Sequence, residues 1–102
     1  MTTKQKLNFI AEQYPESLTA DGFDDAIIGF DASGGNVIYD YTKCLKILME
    51  RDNMDYTDAH EYMEFNVVSA YVGDLTPYFM HKLWKLKYRL IMMRSKKKKL
   101  LY

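Results

Sequence analysis

Carboxylates grouped within a few residues are the side chains best suited to hold a hard cation, and this chain places Asp21, Asp24 and Asp25 together. Oxygen ligands of that kind suit magnesium or calcium, and Asp31 and Glu64 are the further ligands from which a metal-dependent enzyme, such as a nuclease, would be assembled. The spacing is not that of an EF-hand loop. The competing reading is a polar turn in which the Asp side chains satisfy backbone amides, and it is the default.

A second group, His60, Glu61 and Glu64 in the string HEYME, has the outline of the zinc motif HEXXH. Glu64 stands where the second histidine should be. A His and a Glu four residues apart can share a metal, but no third ligand is evident, so a solvated helix face is the expectation. Asn66 and Ser69 lie among apolar neighbours and are expected to make internal hydrogen bonds. Cys44, the single cysteine, falls on the apolar stripe of its segment and has no activating partner in sequence, which reads as an inert buried thiol. The chain has neither a phosphate-binding glycine loop nor a serine nucleophile elbow. No cofactor, no metal and no catalytic residue is therefore expected.

One cysteine cannot build a disulfide framework or a cysteine-based zinc cage, so a reducing, cytoplasmic setting suits the chain. Residues 1–14 are polar where an apolar signal core would lie, and the apolar runs, such as Leu90 to Met93, are far too short for a membrane span of roughly 20 residues. Neither a secretory signal nor a transmembrane segment is expected.

The net charge of zero conceals an asymmetry. Residues 1–80 hold all 14 acidic residues and five basic ones, leaving −9, whereas residues 81–102 hold nine basic residues and no acid. An acidic body thus carries a basic extension, and the chain divides at that point into a domain of residues 1–80 and an extension of residues 81–102. Charge segregation of this kind bears on partners rather than on fold. Within the extension Trp84, Lys85, Lys87, Tyr88, Arg89, Arg94, Lys96, Lys97, Lys98 and Lys99 combine positive charge with aromatic faces, a composition suited to nucleic acid or to an anionic membrane surface.

The elements that must position these groups follow from periodicity. Thr3 caps a first helix that runs to about Tyr14, with Leu7, Ile10, Ala11 and Tyr14 on one face, before Pro15 ends it. Residues 26–30 and 36–39 read as two strands joined by a turn in which Gly34 and Gly35 permit positive φ, which makes a β-hairpin. Asp40 caps a second helix to Arg51 that buries Tyr41, Cys44, Leu45 and Leu48. Asp55 and Asp58 open a third helix that extends through Val72 and closes at Gly73. Its second half is apolar on most sides, which implies burial against several neighbours, with Tyr56, Tyr62, Phe65 and Tyr71 in the core. Residues 76–80 form a third strand that Pro77 places at an edge or a strand start. The fold expected is α+β: a small antiparallel sheet, the hairpin plus a third strand, packed on about three helices. The extension suits either a strand or a helix by pattern, and propensity favours helix.

Three stretches together, DGFDDAIIG at residues 21–29, YDYTKCLKILMER at residues 39–51 and EFNVVSAYVGDLTP at residues 64–77, resemble a group of small uncharacterised bacteriophage and bacterial proteins. The resemblance covers residues 20–80 and stops short of the basic extension. It implies no particular activity. It does imply an accessory protein that binds or inhibits a host macromolecule, most naturally a host protein, in the host cytoplasm. An acidic body could meet a basic nucleic-acid-binding surface as a charge mimic. The remaining alternatives are nucleic-acid or membrane binding by the extension, and a homo-oligomer in which the extension docks on an acidic body. A helix-turn-helix is excluded, because the third helix would bring Asp58, Glu61 and Glu64 to DNA phosphates.

Overall fold

A computed structural model describes residues 1–83; the expectations for Trp84 to Tyr102 lie outside the described residues. The described chain runs as helix α1 (Thr3–Gln13), a 3₁₀ turn (Asp24–Ala26), strands β1 (Ile27–Phe30) and β2 (Val37–Asp40), helix α2 (Tyr41–Arg51), helix α3 (Tyr56–Tyr62), a π-helical segment (Met63–Val68) and strand β3 (Tyr78–Met80).

The cap of α1 is Thr2, one residue earlier than expected. Its hydroxyl accepts from the Gln5 amide while the Gln5 side chain accepts from the Thr2 amide, a reciprocal capping box. Phe9 and Tyr14 carry the helix onto β1 by packing against the Phe30 ring, at 5.9 and 4.6 Å between centroids. Lys6 reaches across to the Ile27 carbonyl at 2.8 Å.

β1 and β2 form the expected hairpin, antiparallel, with a register irregularity between Ile27 and Gly29. Its turn is fixed by Asp31, whose carbonyl accepts from the Gly35 amide and whose carboxylate accepts from the Gly34 amide, both at 2.7 Å. Only Gly35 takes positive φ, at +77°, and a side chain there would also meet the Tyr14 ring. Gly34 is needed for space, because a Cβ would fall 2.7 Å from the Asn36 side-chain oxygen.

The sheet order is β1-β2-β3, and β3 pairs with β2 in parallel. The sheet is therefore mixed and not antiparallel throughout. The reason lies in the connection: α2 and α3 separate the two strands, and a helical crossover returns the chain in the same direction, whereas a hairpin reverses it. Asn36 binds the arriving strand. It is buried, and its side-chain amide donates to the carbonyls of Asp74 and Thr76 at 2.8 and 2.9 Å.

Asp40 ends β2 and caps α2, accepting from the amides of Thr42 and Lys43. Tyr41, Cys44, Leu45 and Leu48 are all buried on that helix, as their spacing requires. The core centres on Tyr39, Ile27, Leu48, Met63, Val37 and Cys44, the largest side chains that are wholly enclosed.

The third helix departs from expectation. The α-helical part ends at Tyr62, the chain continues as a π-helix to Val68, and Gly73 belongs to the following loop with φ of +114°. The Ser69 hydroxyl bonds back to the Phe65 carbonyl at 2.9 Å, a local alternative to continuing the helix. The inward stripe is Ala59, Met63 and the partly buried Val67, each four residues apart. The aromatic residues expected in the core lie off that stripe. Tyr56 and Tyr62 are exposed, and Phe65 and Tyr71 are 77% and 71% exposed. A sheet of three short strands and two helices can cover only one side of this element, so its other apolar side faces solvent.

Candidate functional site

The acidic group proves to be scattered in purpose. Asp24 and Asp25 lie in the 3₁₀ turn before β1, and Asp21 in the turn that precedes it. The Asp25 carboxylate accepts from the Thr3 hydroxyl at 2.7 Å, tying that turn to α1. Nearby, Arg51 donates to the Gly22 carbonyl at 2.6 Å, pairs with Asp52 at 2.9 Å, and lies over the Phe23 ring. Gly22 has φ of +88°, which admits this close approach of the guanidinium to its carbonyl. Among the described residues, no three His, Cys, Asp or Glu side chains converge as a metal site. Asp31 is committed to the hairpin turn, and Glu64 sits on the π segment at 3.6 Å from His60.

His60 and Glu64 do share one helical face, as their spacing implies, but that face also carries aromatic rings. The His60 ring stacks on Tyr56 at 6.1 Å and meets the edge of Tyr41 at 6.3 Å. Ser69 makes the expected internal bond. Asn66 does not lie in the interior; it is exposed between two surface grooves.

Cys44 is wholly buried, and burial together with the neighbouring Asp40 carboxylate pushes its thiol up to about 12. A thiol held protonated is a poor nucleophile, so this residue is part of the packing. Tyr39 is governed by the same physics. Burial pushes its hydroxyl up to about 12, against the stabilising hydrogen bond that the Ala20 amide donates to its oxygen at 2.6 Å.

The feature that the sequence did not reveal as a site is the outer side of α3 and the π segment. A groove of about 390 Å³ is lined by Met54, Asp58, Glu61, Tyr62, Phe65 and Asn66, so an aromatic floor has an acidic rim. Tyr62 and Asn66 also line a second groove of about 480 Å³, whose far wall is formed by Leu18, Phe23, Pro77 and Phe79. Residues 55–74 carry five acids and no Lys or Arg. The one signal in the sequence was an apolar stretch too wide for one buried stripe, and in the structure the same stretch is a π-helix, a rare geometry frequent at functional sites.

The described chain leaves the sheet beside the start of α2. His81 packs on the Tyr41 ring at 4.3 Å, and Lys82 pairs with Asp40 at 3.5 Å, so the first residues of the basic extension touch the acidic body. Among the described residues, no helix is long and apolar enough to cross a membrane. Comparison with protein-family models, with curated proteins and with solved structures finds no match to this chain.

Proposed function

We propose that the chain is a non-catalytic binding protein that engages a macromolecular partner through the acid-rimmed aromatic face of α3 and the π segment. The observation that carries this reading is the exposure of Tyr62 and Phe65 beside Asp58 and Glu61, which line one groove together. Clustered exposed aromatics have a hydrophobic cost in water, and a polar-rimmed patch of this kind is a common mark of an interaction surface. Aromatic anchors also supply much of the binding energy at protein interfaces. The acids select against acidic partners and steer basic ones, chiefly through the association rate.

The partner of this chemistry is a protein surface that mixes basic and apolar side chains, as nucleic-acid-binding surfaces do. The resemblance of residues 20–80 to phage proteins makes a host protein the partner class, and obstruction of its basic surface the effect. For the metal-dependent alternative built on Asp21, Asp24 and Asp25, no convergent ligand set occurs among the described residues.

The test is capture from host lysate by the intact chain and by a Tyr62→Ser/Phe65→Ser variant, each repeated at high salt. A protein retained by the first, lost by the second and weakened by salt supports the reading, and titration of that purified protein then measures the affinity. Identical captured proteins from both chains would overturn it. A second reading, direct binding of nucleic acid or anionic membrane by the extension, rests on its nine basic residues without an acid. Its signature in the same experiment is recovery of nucleic acid or lipid that is insensitive to the Tyr62→Ser/Phe65→Ser change.

A further inference from the structure

The chemistry asked of a partner for this face is present in the chain itself. After Leu83 the sequence continues for 19 residues, and these contain Trp84, Leu86, Tyr88 and Leu90 interleaved with Lys85, Lys87 and Arg89, and no acidic residue. We propose that residues 84–102 occupy the acid-rimmed aromatic face of the same molecule, so that a partner must displace them. The inference rests on the reading of that face as a binding surface, and it adds the identity of the first occupant.

Three observations converge. The first is charge. Asp58 and Glu61 rim the groove, residues 55–74 have no Lys or Arg to offset them, and the charged side chains of residues 84–102 are all basic. Desolvated pairing of opposite signs favours this docking over the reverse arrangement, and it weakens as salt screens it. The second is apolar complementarity. Tyr62 and Phe65 form a groove floor that lacks a cover among the described residues, while a solvated arm does not need a tryptophan, a tyrosine and two leucines.

The third is the place of departure. His81 lies against the Tyr41 ring, and His60 of α3 meets the same ring, so the described chain leaves β3 within one side chain of α3. Lys82 pairs with Asp40, so the last described residues already touch an acid of the body. Reach is ample. Nineteen residues span about 28 Å as a helix at 1.5 Å per residue, and more when extended, against about 20 Å for the 13 residues of α3 and the π segment. Attachment to the same chain also gives the segment a high effective concentration at the face, of millimolar order for a short tether.

Trp84 is the single tryptophan, so its fluorescence reports on this segment alone. The experiment compares quenching of Trp84 by acrylamide in the intact chain, in a Tyr62→Ser/Phe65→Ser variant and in a synthetic peptide of residues 84–102. The expected result is quenching several-fold weaker in the intact chain than in the peptide, independent of protein concentration, and rising to the peptide value in the variant. Circular dichroism confirms that the variant is folded, which its exposed positions favour. Accessibility in the intact chain equal to the peptide would overturn the proposal, as would protection that survives the double substitution. Protection lost on dilution, with a dimer by sedimentation, would also overturn it by moving the segment to a second copy. The outcome is separable from the proposed function: a free Trp84 with a face that still captures its partner defeats only this inference. A docked Trp84 with no partner captured defeats only the other.

Discussion

The side-chain amide of Asn36 donates to the backbone carbonyl of Thr76 across 2.9 Å, joining the hairpin to the lead-in of the third strand, 40 positions further along the chain. Asn36 is buried, so removal of its amide would leave the Thr76 and Asp74 carbonyls short of a donor in a place water does not readily reach. Asn36→Ala is expected to lower unfolding free energy by about 1–3 kcal/mol, the range for orphaned buried polar groups. Asn36→Asp should cost more, because it turns a carboxylate towards two carbonyl oxygens. Urea midpoints measure both, and an unchanged midpoint for Asn36→Ala would show that β3 is held by other means.

Met63 and Phe65 stand two residues apart on the same segment and should answer oppositely to truncation. Met63 is wholly buried, and Met63→Ala should cost about 2–5 kcal/mol through lost burial and the cavity left behind. Phe65→Ser should cost clearly less than Met63→Ala, because Phe65 lies on the surface of the body, where truncation leaves no enclosed cavity. Comparable losses at the two positions would mean that Phe65, like Met63, is packed in the core.

That contrast marks where the sequence was legible. The α+β class, the hairpin, the Asp40 cap and the four buried residues of α2 follow from local rules, because each depends on a turn, a cap or one clean stripe. The direction of β3 and the exposure of Tyr62, Phe65 and Tyr71 do not. Both depend on how many elements surround the third helix, and periodicity records which residues share a side without recording what lies opposite. The shift from α- to π-helix at Met63 leaves no mark in hydrophobic spacing over so short a run. The acidic rim was visible as charge, but it could not be recognised as a rim until the aromatic floor was known to face solvent.

Metal should be irrelevant to stability. The Asp25 carboxylate is engaged by Thr3, Asp31 by the Gly34 amide, and Glu64 lies beside His60, so the candidate ligands serve separate structural ends. Addition of excess chelator is expected to leave the Tm unchanged, and addition of magnesium, calcium or zinc to leave it unchanged as well. A drop of several degrees on chelation, reversed by one cation, would contradict this and restore the enzyme reading.

Alkaline pH should destabilise the fold, with a sign fixed by two buried groups. The Cys44 thiol ionises near 9 when unfolded and is pushed up to about 12 by burial, and the Tyr39 hydroxyl goes from 10 to about 12 for the same reason. Below pH 9 both groups are protonated in both states, and their contribution to stability is fully present. Between the unfolded and folded values the unfolded chain binds fewer protons than the native one, so stability falls as pH rises. Each such group contributes a slope of about 1.4 kcal/mol per pH unit. Cys44 acts first, from about pH 9, and Tyr39 adds to the slope above about pH 10. Tyr71, whose hydroxyl donates to Asp74, is shifted upward too and acts in the same direction. Urea unfolding at intervals between pH 7 and pH 11 measures the slope. Cys44→Ala should flatten it between pH 9 and 10, where thiol titration of the unfolded chain dominates. Tyr39→Phe should lower stability at every pH by removing the acceptor of the Ala20 amide, yet leave the slope below pH 10 intact and flatten it above. An identical slope in Cys44→Ala and the unmodified chain between pH 9 and 10 would mean that the native thiol ionises as easily as the unfolded one, and that Cys44 is not sealed in the core.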